Sequence, residues 1–330
     1  MSKYIPPFNI SNEMLEYISN IMEKVGQLNN FDNLNRMPRL RRNSRIRSIH
    51  SSLAIEANSL SLNQVKDVID GKLVLGEQKE IQEVKNAYNA YEEIDNIDPY
   101  NINDLKKIHG IMSYLIVEDS GKFRNNPEGV FDGDKCIFMA PSEKMVPELM
   151  DNLFDWMIEE RDKTHPLILS SVFHYEFLFI HPFVDCNGRM ARLWQNTILS
   201  KWKPLFKYVP IESRIKQYQE EYYKVISKCN SDGNSNSFIE FMLKMIDETL
   251  EELISNAESQ INYNSIYVNK LLEVMENDFP MTANEIMERL NLKSKDTFRK
   301  NYMDPAIDAG LVKLEIPDKP TSKNQRYYKI

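Results

Sequence analysis

The sequence predicts a mainly α-helical protein with one small β-hairpin, followed by a separate winged helix-turn-helix module. Three observations carry this. Only ten glycines occur in 330 residues; apolar residues recur at three- and four-residue spacing over long stretches; and the texture changes at the segment INYNS, residues 261–265. No repeat of fixed period runs through the chain.

The helical spacing predicts helices over 11–29, 38–57, 62–95, 102–117, 144–160, 165–180, 188–201 and 214–228, and another at about 237–258. Between the fourth and fifth, GVFDGDKCIFM (129–139) places β-favouring runs around Asp132-Gly133-Asp134, a hairpin signal. Beyond the change of texture, Thr282 and Glu285 form a capping box, Ser294 caps a second helix and Gly310 stops it. LVKLEI, the turn-forming PDKPTSKN and QRYYKI then make a two-stranded wing. Three regions follow: 1–95, 96–258 and 262–330.

Composition narrows the function classes. With 41 Lys and Arg against 49 Asp and Glu, the net charge of −8 argues against wholesale coating of nucleic acid. The stretch 261–330 carries eleven basic and ten acidic residues, without the basic excess of DNA readers. That leaves two readings of it open: DNA contact, and protein docking or dimerisation. Cys136, Cys186 and Cys229 show no metal-ligand spacing and read as reduced thiols. No unbroken apolar stretch reaches membrane-spanning length and the start, MSKYIPPFNI, lacks a secretory pattern, so no membrane partner and a cytoplasmic location are expected.

The sharpest segment is His181-Pro-Phe-Val-Asp-Cys-Asn-Gly-Arg-Met-Ala-Arg192, between two strongly apolar runs. Pro182 disfavours helical geometry at His181, so the preceding helix ends there and presents the imidazole on a loop. Asn187 and Gly188 open the next helix, whose first backbone N–H groups form an anion site. Arg189 and Arg192 lie on one face near its start, where positive charge opposes the helix dipole and a bound polyanion accounts for it. Asp185 is placed to hold a divalent ion on phosphates. The combination reads as phosphoryl-type chemistry, while His50, His109, His165 and His174 read as structural. No Walker loop and no kinase glycine loop is present.

At these residues the chain resembles the Fic family, whose signature runs His-Pro-Phe-x-Asp/Glu-Gly-Asn-Gly-Arg-x-x-Arg across a helix–loop–helix. The likeness extends over roughly 10–250, through LMDNLFDWM, SGKFR, the hairpin and QEEYYKVIS. It implies a Fic helical bundle in which 96–258 is the catalytic core and the hairpin is a flap that aligns a target segment by strand addition. It implies that His181 deprotonates a Ser, Thr or Tyr hydroxyl of a target protein, or of the chain itself, for attack on the α-phosphate of ATP. Asp185 would hold Mg2+, Asn187, Gly188 and Arg189 would cradle the α- and β-phosphates, and Arg192 would reach the γ-phosphate. Cys186 departs from the pattern by replacing the first glycine, a strained substitution if the position has positive φ.

A second likeness lies at Ser52-Leu-Ala-Ile-Glu56-Ala-Asn58, which resembles the family's inhibitory Ser/Thr-x-x-x-Glu-Gly/Asn motif. Ser52 and Glu56 stand one helical turn apart, and Glu56 is suited to pair with Arg192. Ala57 replaces the usual glycine. Upstream, Arg36, Arg39, Arg41, Arg42, Arg45 and Arg47 form a basic cluster that reads as a solvated face. The expectation is therefore an adenylyltransferase restrained by Glu56. The alternatives are removal of AMP at the same site with Glu56 orienting water, and a DNA-binding regulator whose nucleotide site only senses. A homodimer is a further open partner.

Overall fold

A computed structural model of the chain describes residues 4–30, 38–132, 135–276, 279–308, 311–317, 319, 320, 322 and 325–329. It is mainly α-helical and divides into two compact units, Met1–Glu252 and Leu253–Ile330.

The first unit runs α1 (Asn12–Asn30), α2 (Pro38–Ile55), α3 (Leu62–Ile69), α4 (Gln78–Glu92) and α5 (Ile102–Met112). Next come the hairpin strands β1 (Gly129–Asp132) and β2 (Lys135–Met139). There follow α6 (Val146–Glu160), α7 (Pro166–Ile180), α8 (Asn187–Trp202), α9 (Ile211–Gln217), α10 (Gln219–Asp232) and α11 (Asn236–Val274), within which the two units divide. The strands pair antiparallel, Gly129 opposite Met139 and Asp132 opposite Lys135, with an irregularity between Val130 and Phe131. The tip, Gly133-Asp134, lies outside the described residues.

Four sequence expectations change. The stretch 214–228 is two helices meeting at Tyr218, and the helix expected over 237–258 runs on through INYNS to Val274, with the two units dividing inside it. Two further helices are cut short. The stretch 62–95 is two helices, because Asp70 closes α3 and Gly71 takes φ +72, a reversal that suits glycine. The helix from 102 stops at Met112, where Ser113 caps it and Leu115 turns to φ +59.

At the centre lie α7 and α8. The run PLILSSVFHYEFLFI is apolar on nearly every face, and α7 is accordingly buried from Leu167 to Phe177. Pro166 starts it at a position that needs no donor, and the His165 ring accepts from the Leu167 N–H at 3.3 Å. Packed against it, α8 buries Met190, Leu193, Trp194 and Ile198. The connecting loop, 181–186, carries the signature between two rigid helices.

Four arginines of the cluster are engaged rather than merely solvated, while Arg36 and the Arg39 side chain lie outside the described residues. Arg45 donates to Tyr91 O at 2.9 Å, Arg47 pairs with Glu252 at 2.9 Å, Arg42 pairs with Asp70 and Arg41 lies 5.0 Å from the Tyr208 ring centre. Inside, Ser48 and Tyr91 donate to the buried Glu212 at 2.8 and 2.6 Å. These contacts fix the helix that delivers Glu56 one residue past its end.

In the second unit, β3 (Met281–Thr282) leads into α12 (Ala283–Arg289), whose Thr282–Glu285 capping box is present. Ser294 caps a second helical segment, Lys295–Thr297, Phe298–Met303 and Asp304–Asp308, with π geometry in its middle stretch. The expected stop at Gly310 lies outside the described residues. Strands β4 (Val312–Leu314) and β5 (Arg326–Lys329) form the hairpin, but the sheet has three strands in the order β3-β5-β4, because Met281–Thr282 pairs with β5. Leu271, Met281, Ile286, Phe298, Met303 and Val312 form the core of this unit. Among the described residues no helix is long and apolar enough to cross a membrane.

Candidate active site

Helix α7 ends at Ile180, and His181 follows in the left-handed region at φ 51, ψ 60, its N–H donating to Phe177 O at 3.0 Å. A chain leaving a helix this way turns sharply, which carries the imidazole off the helix axis. Burial holds the His181 pKa below its ordinary value, and the nearby Arg124 charge acts in the same direction; Glu56 and Asp185 oppose. A neutral imidazole is the form that accepts a proton.

The loop after His181 is braced from inside. The Asn187 side chain accepts from Phe183 N at 3.0 Å and donates to Phe183 O at 2.7 Å, closing the loop on itself. The Phe183 ring stacks on His109, with centroids 3.6 Å apart. His109 Nδ1 accepts from Gly121 N–H at 2.9 Å, so Nε2 carries the proton and donates to Asp185 O at 3.1 Å. Burial lowers the His109 pKa to about 4, so the ring stays neutral, and the Gly121 N–H sets the tautomer. His109 is therefore structural, as its sequence context suggests, but what it supports is the signature loop.

Cys186 sits at φ 68, ψ 10 immediately before α8, so the position does require positive φ and the cysteine adopts it against its Cβ. Its thiol is buried, which pushes its pKa up to about 12 and leaves it inert rather than reactive. The first helical bond of α8 runs from Met190 N to Cys186 O, so the N–H groups of Asn187, Gly188 and Arg189 precede the hydrogen-bonded ladder.

The two signature arginines diverge. Arg189 Nη2 pairs with Asp185 at 3.0 Å, while Nη1 lies 3.1 Å from Glu83 without hydrogen-bond alignment. Arg192 donates from Nε to Ser52 Oγ at 3.0 Å and from Nη2 to Ser52 O at 2.9 Å and Glu56 Oε1 at 2.7 Å. Both are buried, and beyond the unaligned Arg189 Nη1–Glu83 ion pair, Arg189 Nε and Arg192 Nη1 have no hydrogen-bond partner among the described residues. Such orphaned cationic donors are costly unless an anion completes them. Glu56 Oε1 and Arg192 Nη1 both crowd the space above Gly188, where any β-carbon would collide with the carboxylate.

Helix α2 ends in a Schellman turn: Asn58 N donates to Leu53 O at 3.1 Å, Ala57 N to Ala54 O at 3.3 Å, and Ala57 takes φ 66. Ala57 itself, in place of the usual glycine, makes the left-handed reversal. Asn58 donates to the buried Glu83 at 2.9 Å, and Glu80 accepts from Ser59. On the other side Lys216 donates to Ala54 O at 2.8 Å, and Gln219 and Tyr223 donate to Ile55 O at 3.0 and 3.3 Å. Glu83, Lys216 and Gln219 escaped the sequence reading because each acts across more than twenty residues of chain.

A cavity of about 820 Å3 opens beside these groups. Glu56, His181, Gly188 and Arg192 line one part; Phe138 and Met139 of the hairpin, with Leu178, Phe179, Tyr223 and Ile226, supply apolar walls; Ser227, Asn230 and Ser231 add polar edges. Tyr222 also lines it, its hydroxyl donating to His174 Nε2 at 2.9 Å, since His174 Nδ1 donates to Gln195 Oε1. The volume and mixed lining suit a nucleotide. Ser52, Asp185, Asn187 and Arg189 are outside the lining. Asp185 keeps a carboxylate 38% exposed, and among the described residues no group of three or more acidic, His or Cys side chains forms an all-protein metal site. One carboxylate beside a phosphate nest is the donor set magnesium commonly accepts.

Fold and site thus define a helical protein with an anion nest, a partly buried histidine and a nucleotide-sized cavity at one helix–loop–helix. Residues 99–199 match the Fic/DOC family, and 267–329 match the C-terminal domain of Filamentation induced by cAMP protein Fic-like. A solved Fic family protein from Desulfovibrio desulfuricans G20 is 40% identical over 99% of this chain and 98% of its own, with a TM-score of 0.74. The chain belongs to the Fic family. A Fic domain containing signaling protein from Bacteroides thetaiotaomicron, 22% identical with a TM-score of 0.61 over 74% of this chain and 98% of its own, shares the fold. Two proteins named protein adenylyltransferase Fic are also similar. That of Nematostella vectensis is 24% identical over 63% of this chain and 48% of its own length; that of Culex quinquefasciatus is 27% identical over 65% and 43%. The chain spans less than half the length of these relatives.

Proposed function

We propose that this protein transfers AMP from ATP to a hydroxyl group of a protein and that Glu56 restrains the reaction. The supporting observation is the juxtaposition in one cavity of His181, the Gly188 nest, and an Arg192 whose free donor faces that nest while Glu56 holds another. The animal relatives named protein adenylyltransferase support the same reading.

In this reaction the neutral His181 takes the proton of the target hydroxyl. The oxygen forms a bond to the α-phosphorus, the bond from that phosphorus to the bridging β-oxygen breaks, and pyrophosphate leaves. The backbone donors at the start of α8 and the guanidinium of Arg192 hold the phosphates and stabilise charge on them. Asp185 would hold Mg2+, which would supply further neutralisation of the phosphate charge. The apolar walls and Asn230 would receive the base, and the hairpin beside the cavity would align the target segment. Glu56 competes with the γ-phosphate for Arg192, so bound ATP lies misaligned for in-line attack.

Because Glu56 lines the same cavity as His181, orienting a water for removal of AMP is a second reading of its role. Intact-mass analysis after incubation with ATP and Mg2+ separates the outcomes. An added AMP supports transfer, an added phosphate selects kinase chemistry, and loss of AMP from a modified protein selects the reverse reaction. No change in either protein, with Glu56 intact or replaced, sinks the proposal.

A further inference from the structure

Arg124 stands outside every residue given a chemical role above, yet it is only 3% exposed. Its guanidinium donates from Nε to His181 O at 2.7 Å, from Nη2 to Ile180 O at 3.3 Å and Pro141 O at 2.6 Å, and from Nη1 to Asn126 O at 2.9 Å. Its main-chain N–H donates to Pro182 O at 2.9 Å. All four side-chain bonds go to main-chain carbonyls. Among the described residues no carboxylate hydrogen-bonds to it, although the Glu128 and Glu143 charges act on it. A cation is expensive to bury without a bonded carboxylate unless the groups around it need its donors. Here they do: the last carbonyls of a helix have no intrahelical partner and sit at the negative end of its dipole. Three consecutive carbonyls, those of Ile180, His181 and Pro182, converge on this one residue, and convergence of that kind fixes the left-handed turn at His181. The remaining two partners are the legs of the hairpin, Asn126 before β1 and Pro141 after β2.

We infer that Arg124 is the positioning residue of the site: it sets the turn that aims His181 into the cavity and fixes the hairpin to that same turn. The inference rests on reading His181 as the base. Its consequence for the reaction is geometric, because a hydroxyl presented beside the hairpin then meets the imidazole at a constant distance, and small misplacements at this step are costly to rate. A second consequence is electrostatic. The charged groups acting on His181 are Arg124, Glu56 and Asp185, and only Arg124 favours the neutral ring. Lysine cannot replace it geometrically, since a single ammonium lacks the planar fork that reaches four carbonyls on two sides.

The test uses the full chain with two variants, Arg124→Lys, which keeps the charge and loses the fork, and Arg124→Gln, which loses both. Three quantities are measured: ATP binding by calorimetry, the pH dependence of kcat, and the titration of His181 followed by NMR of histidine-labelled protein. Both variants are expected to bind ATP within about twofold of the parent and to lose at least about tenfold in kcat with little change in KM. In Arg124→Gln the His181 titration and the acid limb of kcat move together to higher pH; in Arg124→Lys they stay nearer the parent. Parental kcat in either variant overturns the inference. So does a fall in kcat without movement of His181 in Arg124→Gln, and so does loss of ATP binding or helical circular dichroism, which would make Arg124 a fold residue. If the parent itself transfers nothing, the proposed reaction fails, whereas the NMR titration still decides the role of Arg124.

Discussion

Two helix ends meet at this cavity, and they are built differently. Helix α7 ends in a left-handed residue, His181, and helix α2 ends one residue past Glu56 in another, Ala57. The His181 turn is pinned from within by the buried Arg124, through main-chain carbonyls alone. The Glu56 turn is held from outside by Lys216, Gln219 and Tyr223 on its carbonyls and from within by the Arg192–Ser52 and Asn58–Glu83 bonds, but the Glu56 carboxylate itself, 34% exposed, is held by one contact to Arg192. A turn tied by internal carbonyls releases only when the core opens. A carboxylate held by one partly exposed ion pair can leave without its turn unfolding, and the difference is what the proposed base and the proposed restraint would require.

The largest expected effect tests the fixed side. Replacing His181 by alanine should lower transfer by at least about a hundredfold while ATP binding and thermal stability stay near the parent, measured by labelled AMP incorporation and calorimetry. In the parent, the base must be neutral to work and burial lowers its pKa. Activity is therefore lost only as pH falls through a value below the ordinary imidazole range near 6.5. An acid limb above that range would contradict the environment described for the ring.

The brake is tested next. Glu56→Gly removes the carboxylate from Arg192 and should raise transfer about tenfold, equivalent to ~1.4 kcal/mol of lost restraint. Adding Arg192→Ala to it should abolish the gain, because the phosphate clamp is lost with the brake. Unchanged transfer in Glu56→Gly would remove the restraint from the proposal. If the substitution abolishes removal of AMP instead, Glu56 positions water.

How legible these two ends were in the sequence follows from the range over which each signal acts. The helix stop at Pro182, the helix start at Asn187, the pairing of Glu56 with Arg192 and the Thr282–Glu285 cap are local or motif-borne, and all were readable. Arg124, Glu83, Lys216 and Gln219 were not, because each makes its contact with a distant segment and its neighbours carry no periodic signal. His109 and His174 show the same limit. A structural histidine is legible as such, but which loop or ring it supports is set by packing. The third strand of the C-terminal sheet was missed because two residues, Met281 and Thr282, are too short to show alternation.

The external ties of the brake predict a smaller effect. Lys216→Ala combined with Gln219→Ala leaves two carbonyls at the end of α2 without these donors, while Arg192, His181 and the nest are untouched. Losing a C-terminal cation and its bonds weakens a helix end by roughly 0.3–1 kcal/mol. Basal transfer should rise about two- to fivefold, short of Glu56→Gly, and the combination with Glu56→Gly should add nothing. A fall in basal transfer with ATP binding intact would show that these side chains serve the nucleotide rather than the turn.

The smallest effect sharpens the comparison most, because it separates the carboxylate from the turn that bears it. Ala57 and Cys186 both hold positive φ with a β-carbon, at 66° and 68°, and the left-handed conformation costs an L-residue about 1–2 kcal/mol. Ala57 is exposed, so Ala57→Gly relieves strain without removing packing, offset by roughly 0.4–1 kcal/mol of added freedom in the unfolded chain. The net should be a stabilisation of up to about 1 kcal/mol, a rise of ~2 °C in a chain of this size. Cys186 is buried, so Cys186→Gly also loses the contacts of its thiol and should leave stability near the parent. If the carboxylate on Arg192 is the restraint, Ala57→Gly should leave transfer within about twofold of the parent or lower it, since an unstrained turn holds Glu56 at least as well. A rise as large as that of Glu56→Gly would mean that the stiffness of the alanine turn, and not the charge it carries, is what keeps Arg192 engaged.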